Sequence, residues 1–482
     1  MYRKPLHKEK LRETATCQDE ISTLHDSHQL QELTQPLTHD SSVTSSSCIH
    51  FEKNITQQFW NNIKLPLRVE WMKNKISHSL PFWIQTLYGM ISPPPIMKTE
   101  TETRSFPKKI LLFNYLRSIG FNGQGSTPRG ELTQWTDLVM ALALQNHHVY
   151  YVHDFEELVN QVLPEHSIES FHLIFTDYSS LHMYLSEKLG FIHQLGRELN
   201  SRPQKHQQLS KCRLRILDSF GTHQKYNSMN AADVSDRSSS SWCCWNLNLK
   251  QILTLQPLKI PDPVNQFLGI AIPFDMESIL HRDMSRKKRQ ASSGKYRALI
   301  WAKEFKYFER VPSSYLKTIS ERFELVTTLT FNDFEKVRIK FPTVEFTNLG
   351  ILTHSSYVKV LRESVIYVGL GEPYIGPSSL EALAYGNVIF NPRIKPFKLS
   401  DIGKPSDEIY TSQVPYLESI GAPNVITLRM MDTKSVARHV HDVELLLDEN
   451  HGVIPPYIPS EFTVQAFFYR VYSIVNSYDF CD

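Results

Sequence analysis

One part of this chain, Gly369-Leu-Gly371-Glu-Pro-Tyr-Ile-Gly376-Pro-Ser-Ser-Leu-Glu381-Ala-Leu-Ala-Tyr-Gly386, joins a glycine-rich turn to a helix. It follows the β-branched run Ser364-Val-Ile-Tyr-Val368, which predicts a buried strand. In a strand–turn–helix unit the backbone N–H groups point at an anion, the helix dipole favours it, and the glycines permit close approach. We therefore predict a phosphate- or diphosphate-binding loop, with Glu381 placed to accept hydrogen bonds from ribose hydroxyls.

Two common phosphate-binding motifs do not fit this loop. A Walker A loop ends in Gly-Lys-Ser or Gly-Lys-Thr, which is absent here. A dinucleotide fingerprint lies in the first strand–helix unit of its domain, with an acid about 20 residues on. Here the loop comes late in its domain and Glu381 follows Gly371 by 10 residues, which favours a nucleotide-sugar site. Lys303 and Lys404 are candidates to neutralise a diphosphate, although each alone is also typical of a solvated surface lysine.

Buried-type strands alternate with helical segments on both sides of the loop. The predicted strands are 109–113, 148–152, 171–175, 214–217, 297–301, 325–329, 364–368, 388–390 and 424–428, and the predicted helices are 131–144, 155–162, 311–323, 355–363 and 433–447. Such alternation is typical of parallel, doubly wound sheets. The sequence therefore predicts an α/β fold with two Rossmann-like domains and a ligand cleft between them.

Composition shifts divide the chain into four segments. Residues 1–105 are polar and predict a mostly flexible stem with one amphipathic helix near 57–75. Residues 106–285 form the first Rossmann-like domain, which holds the candidate general base. Residues 295–460 form the second, which holds the predicted nucleotide-sugar loop, and 461–482 form a C-terminal helix and tail.

The bulk properties narrow the class of protein. The chain has 482 residues and a net charge of +2, which gives no support for nucleic acid as its main partner. Its six cysteines lack zinc-site spacing and its histidines are scattered, so we predict no metal. No apolar run reaches the roughly 18 residues of a membrane span, and no signal peptide or anchor is visible.

Three further residues are candidates in the first domain. Glu131 ends a glycine-bearing loop at a helix start, where a carboxylate facing a cleft could act as a general base, or could simply favour the helix dipole. Asp218 follows a buried-type strand, which places it at that strand's carboxyl end. Trp242 offers an aromatic face suited to a sugar ring, although most tryptophans belong to a core.

At these residues the chain resembles the N-acetylglucosaminyltransferase V family, glycosyltransferase family 18. The matching pieces follow the family order over about 375 residues and are more specific together than any one alone. They are Gly130-Glu-Leu-Thr-Gln-Trp-Thr-Asp-Leu138, Leu214-Arg-Ile-Leu-Asp-Ser-Phe-Gly-Thr222, Trp245-Asn-Leu-Asn248, Val368-Gly-Leu-Gly371, Leu380-Glu-Ala382, Ile402-Gly-Lys-Pro405, Thr411-Ser-Gln413, Pro415-Tyr416, Glu461-Phe-Thr463 and Asp479-Phe-Cys481.

This resemblance implies a GT-B fold and an inverting, metal-independent transfer of GlcNAc. The donor would be UDP-GlcNAc, and the acceptor the 6-hydroxyl of the α1,6-arm mannose of an N-glycan on a glycoprotein. No cofactor is implied. The family also implies a Golgi location and a membrane anchor, and no anchor is visible in this sequence.

The resemblance also assigns roles to residues. Glu131 falls on the family's catalytic base, and Asp218, Phe220 and Trp242 fall on positions that hold the acceptor glycan. The donor side is expected to use the lysines, the loop and the acid that contacts the nucleotide, which here are Lys303, Gly369, Gly371, Tyr374, Gly376, Ser378, Glu381 and Lys404.

Two loop positions depart from the family pattern. Glu372 stands where the family has an aromatic residue, and Ile375 stands where it has an acid. Two alternatives therefore stay open beside an active branching enzyme. One is a catalytically weakened GT-B protein that binds glycan or nucleotide, and the other is a UDP-sugar transferase with a different acceptor.

Overall fold

The fold was taken from a computed structural model of the chain. It describes residues 53–65, 69–88, 107–114, 130–153, 155–177, 180, 211–218, 249–257, 266–272, 294–300, 302, 304–395, 410–450 and 452–481.

The first domain is built on a seven-stranded parallel sheet. Its strands are β1 (Ile63–Lys64), β2 (Lys109–Phe113), β3 (His148–Val152), β4 (Leu173–Asp177), β5 (Leu214–Asp218), β6 (Ile252–Thr254) and β7 (Gln266–Phe267). Their order across the sheet is β1-β3-β2-β4-β5-β6-β7. Successive strands are therefore added to opposite sides of β2, and the boundary between β2 and β4 is the switch point. Doubly wound sheets bind ligands at such a point.

The second domain repeats this plan with a six-stranded parallel sheet. Its strands are β8 (Tyr296–Ile300), β9 (Phe323–Thr327), β10 (Phe346–Asn348), β11 (Ser364–Val368), β12 (Val388–Pro392) and β13 (Val425–Leu428), in the order β10-β9-β8-β11-β12-β13. The switch point lies between β8 and β11. The predicted α/β class, with two doubly wound Rossmann-like domains of the GT-B type, is confirmed.

Besides the helical residues 53–61, nine α-helices accompany these strands in the described part of the chain. They are α1 (Glu70–Tyr88), α2 (Gly130–Leu144), α3 (Phe155–Glu157), α4 (Ser313–Ser320), α5 (Phe331–Lys340), α6 (His354–Glu363), α7 (Ser378–Ala384), α8 (Thr433–Glu449) and α9 (Val464–Asn476). Several begin at a side chain that accepts a backbone N–H bond, such as Thr330 from Asp333 and Asp432 from Ser435. Helix α4 is shorter than predicted, because Pro312 precedes it and Phe323 already pairs with β8.

The N-terminal segment corrects one prediction. Residues 53–61 are helical, and α1 lies later than the helix predicted near 57–75. Met72, Ile76, Trp83 and Leu87 of α1 are almost fully buried and join the core of the first domain. A flexible stem is therefore wrong for residues 53–65 and 69–88. In the described ranges, no helix combines the length and apolar character that crossing a bilayer requires.

The C-terminal helix returns to the first domain. Helix α9 lies within the C-terminal segment 461–482. It buries Phe467, Phe468 and Val471 in the first core and packs against α1 and α2. A disulfide joins Cys212, before β5, to Cys481 after α9, with their Cα atoms 4.8 Å apart. The last helix therefore belongs to the first domain's core although it follows the second domain in sequence.

A short segment after β7 connects the two domains. The Ala271 N–H donates to Asp137 on α2 over 3.0 Å, while the Ile272 N–H donates to the Phe462 carbonyl over 2.8 Å. Ile270 and Ile272 pack in a buried cluster with side chains of the second domain. This cluster packs the two domains against each other.

A buried ion pair holds α1 against α2. Lys75 Nζ lies 3.3 Å from Asp137 Oδ1, and the two side chains are 5% and 2% exposed. Burial raises the pKa of the Asp137 carboxyl, and the Lys75 ammonium lowers it again. Each charge therefore depends on the other, because an unpaired buried charge is strongly unfavourable.

We predict that Asp137→Ala lowers the free energy of unfolding by about 3–5 kcal/mol, since it leaves the Lys75 ammonium buried and unpaired. Glu165→Ala is the control, because it removes an exposed ion pair. The side chains of Lys64 and Glu165 in this pair are 62% and 64% accessible. That change should cost less than about 1 kcal/mol. Urea denaturation measures both, and equal losses would contradict the assignment.

Candidate functional site

The glycine loop occupies the switch point of the second sheet. It runs from the end of β11 to the start of α7, and β11 lies next to β8, the first strand of this domain. This position explains why the loop comes late in the sequence of the domain. It is the fourth strand of the doubly wound order, not the first, that carries the loop.

Two glycines are required by the shape of the loop. A Cβ on Gly369 would lie 2.4 Å from Gln413 Oε1, 2.5 Å from Pro392 Cδ and 2.6 Å from the Phe390 carbonyl oxygen. Gly371 has a φ of +93°, a conformation that side chains disfavour. The first glycine therefore permits close approach of the backbone, and the second permits the turn.

Gln413 fixes the loop from the segment after β12. Its Oε1 accepts the Gly371 N–H at 3.0 Å, and its Nε2 donates to the Pro373 carbonyl at 3.1 Å. The Gln413 carbonyl also accepts the Ile375 N–H at 3.0 Å. One residue therefore makes three hydrogen bonds to the loop.

The end of the loop presents backbone donors. Within the described residues, the N–H groups of Gly376, Ser378 and Ser379 donate to no protein acceptor. The Ser378 hydroxyl lies 2.8 Å from the hydroxyl of Tyr367 on β11. These three N–H groups lie where an anion would be bound at the start of α7.

Glu381 lies one turn into α7 and is partly exposed. Burial raises the pKa of Tyr357 and of Tyr367, and the nearby Glu381 carboxylate raises both further. Both phenols are therefore neutral near pH 7. The Glu381 side chain beside them is partly exposed.

The two loop residues expected to depart from the family pattern, Glu372 and Ile375, differ in their burial. Glu372 is at the surface, where its Oε1 lies 3.6 Å from Arg310 Nη1. Ile375 is 5% exposed and has a φ of 49°. This left-handed conformation costs a β-branched residue about 1–2 kcal/mol, so other contacts must hold it.

The first domain reaches the loop through Gln256. This residue follows β6 at the carboxyl edge of the first sheet, and its Nε2 donates to the Ile375 carbonyl at 3.0 Å. The carboxyl edges of the two sheets therefore meet at the glycine loop. Tyr374 in the same loop packs against Tyr410, with ring centroids 5.0 Å apart.

The candidate residues of the first domain lie at the same edge of its sheet. Glu131 is the second residue of α2, the helix that follows β2 at the switch point, and the described side chains of α2 begin at Leu132. Asp218 is the last residue of β5 and is 5% exposed.

The structure brings together part of the predicted site. Gly369, Gly371, Tyr374, Gly376, Ser378 and Glu381 share one loop and its helix. Lys303, Lys404, Phe220 and Trp242 lie outside the described residues. Among the described residues, no group of three metal-ligating side chains is found.

Sequence reasoning missed two residues that shape the loop. Gln413 belongs to a quoted family piece but carried no predicted role, and Gln256 carried no signal. Gln256 meets the loop 119 positions away along the chain, so no local pattern could reveal the contact.

Comparison with known proteins gives a consistent set of relatives. The profile of glycosyltransferase family 18 matches residues 29–482. Alpha-1,6-mannosylglycoprotein 6-beta-N-acetylglucosaminyltransferase A from Homo sapiens is 29% identical over 433 residues, which are 85% of this chain and 53% of the relative. The corresponding protein B from Homo sapiens is 27% identical over 371 residues, which are 73% of this chain and 42% of the relative. The alpha-1,6-mannosylglycoprotein 6-beta-N-acetylglucosaminyltransferase from Caenorhabditis elegans is 28% identical over 372 residues, which are 74% of this chain and 51% of the relative. The chain thus spans about half the length of the first of these relatives.

Solved structures also align with the chain. Anabaena HepE in complex with UDP-glucose covers 77% of this chain and 100% of its own length, at 10% identity and a TM-score of 0.43. AviGT4, a glycosyltransferase of avilamycin A biosynthesis, covers 77% and 99%, at 9% identity and a TM-score of 0.39.

We predict that Gly369→Ala destabilises the protein by about 1–3 kcal/mol, because its Cβ would overlap backbone and side-chain atoms. Gly376→Ala is the control, since the nearest atom to its Cβ would be Ser378 Oγ at 3.8 Å. The control should change stability by less than about 0.5 kcal/mol. Thermal denaturation measures both, and an equally stable Gly369→Ala protein would refute the close approach.

Proposed function

This chain belongs to glycosyltransferase family 18, and on that basis we propose that it transfers GlcNAc from UDP-GlcNAc to the 6-hydroxyl of the α1,6-arm mannose of N-glycans. The proposal depends most on one observation. The carboxyl edges of two doubly wound sheets meet at a glycine loop, which Gln256 contacts from the opposite domain. A donor bound at that loop would face an acceptor held at the carboxyl edge of the first sheet.

The loop and its helix would bind the diphosphate and ribose of the donor. The N–H groups of Gly376, Ser378 and Ser379 are available to phosphate oxygens, and Glu381 is partly exposed one turn further on. Gly369, Gly371 and Tyr374 shape this surface. Lys303 and Lys404 would add positive charge, as the family resemblance implies.

Glu131 would act as the general base. In an inverting displacement, its carboxylate takes the proton of the acceptor hydroxyl while that oxygen attacks the anomeric carbon of GlcNAc. The bond from this carbon to the β-phosphate oxygen breaks, and its electron pair leaves on UDP. The product is a β1,6-linked GlcNAc.

The charge that develops on UDP would be stabilised without a metal ion. Backbone N–H groups fixed before the reaction stabilise such charge effectively, because they need no reorganisation. The lysines would add to this effect. Asp218, Phe220 and Trp242 would hold the acceptor glycan, with Asp218 at the end of β5. By the same family resemblance, we propose action on glycoproteins in the Golgi lumen.

A second function is favoured by Ile375. This residue stands where the family has an acid, and its side chain is buried. A loop without that carboxylate could bind UDP with little turnover. Incubation of the protein with UDP-GlcNAc and a biantennary N-glycan separates the two. A β1,6-branched product supports the transferase, whereas tight UDP binding without product supports the weakened form.

We predict that Glu131→Gln lowers kcat by about 10²–10⁴-fold, since a carboxamide cannot accept the proton. UDP affinity should stay within about twofold, because the change lies in the other domain. Radiolabel transfer and isothermal titration calorimetry measure the two quantities. A variant that retains full turnover would refute Glu131 as the base.

Chelation tests the metal independence of the reaction. Product formation in excess EDTA should equal that of the untreated protein within about twofold, because neutralisation of UDP is assigned to backbone N–H groups and lysines. Loss of activity on chelation, with recovery on addition of Mn²⁺ or Mg²⁺, would contradict this part of the mechanism.

A further inference from the structure

One side chain of the first domain holds the glycine loop of the second. Gln256 is 4% exposed, and its Nε2 donates to the Ile375 carbonyl at 3.0 Å. Leu255, its neighbour, is buried in the apolar cluster shared by the two domains. The bond therefore crosses the domain boundary at a place where solvent is excluded.

The bond is made to a residue with a strained backbone conformation. Ile375 has the left-handed φ of 49°, which a β-branched residue rarely adopts. Its N–H is held by the Gln413 carbonyl within the second domain, and its carbonyl by Gln256 from the first. Removing either bond would allow the peptide to relax towards an ordinary conformation.

Stability alone does not explain a glutamine at this position. Among the described residues, the buried Oε1 of Gln256 has no hydrogen-bond partner. A buried unpaired acceptor is unfavourable, and an apolar side chain of similar length would avoid it. The Nε2 bond to the loop is the feature that such a side chain could not provide.

We propose that Gln256 is a positioning residue that sets the conformation of the glycine loop, so that the donor site is completed only by the first domain. The proposal rests on the loop being the donor site. Gly376, Ser378 and Ser379, whose N–H groups are open to an anion, directly follow the peptide that Gln256 fixes. Loss of the bond would therefore misplace these donors without removing any of them.

The test compares Gln256→Met with Gln251→Met in the full chain. Gln251 is 3% exposed, and its Nε2 donates to the Leu214 carbonyl at 2.8 Å within the first domain. Each variant therefore removes a buried side-chain-to-carbonyl bond, but only Gln256 contacts the loop. Amide hydrogen exchange over residues 369–379 is measured without ligand, and UDP affinity and donor KM are measured separately.

Gln256→Met should speed exchange at the bonded amides of Gly371 and Ile375 by about tenfold, the effect of losing one such hydrogen bond. UDP affinity should fall by a similar factor, while the melting temperature changes no more than in Gln251→Met. Unchanged loop exchange in Gln256→Met, or an equal change in Gln251→Met, would overturn the proposal. Faster loop exchange with unaltered UDP affinity would show that Gln256 positions the loop, but would refute the assignment of the loop as the donor site.

Discussion

The absence of a side chain at Gly369 is the constraint on which the site depends. Only a hydrogen fits where the end of β11 meets the Phe390 carbonyl, Pro392 and Gln413. This close approach brings the Gln413 amide within hydrogen-bond distance of the Gly371 N–H and the Pro373 carbonyl. The loop is thereby fixed before any ligand arrives, which is what electrostatic stabilisation of a leaving group requires.

Topology gives the fixed loop its functional position. Both sheets are doubly wound, although their strand orders differ, and in each the switch point carries a proposed functional element. In the second sheet it is the glycine loop after β11. In the first sheet it is the connection from β2 to α2, and Glu131 lies near the start of α2. The Gln256–Ile375 bond joins the carboxyl edges of the two sheets, so donor and acceptor groups can face each other.

The fold could be predicted from sequence largely because parallel sheets bury their strands on both faces. Continuous apolar or β-branched runs at 109–113, 148–152 and 364–368 predicted β2, β3 and β11 with their observed bounds. Helix α1 was placed too early in the chain, because Pro81 lies inside it and a proline ordinarily ends a helix. Here Pro81 lies on the exposed side, and the apolar face packs in the core. The glycines of the loop could be found from local pattern, whereas Gln256 and Gln413 could not, because their contacts depend on tertiary structure.

Backbone amide exchange with and without saturating UDP tests most directly whether this loop binds the donor. The N–H groups of Gly376, Ser378 and Ser379 bond no acceptor in the described part of the chain, so bound phosphate should slow their exchange. We expect the strongest protection at residues 376–379. Tight UDP binding that protects another region and leaves residues 376–379 unchanged would contradict the account.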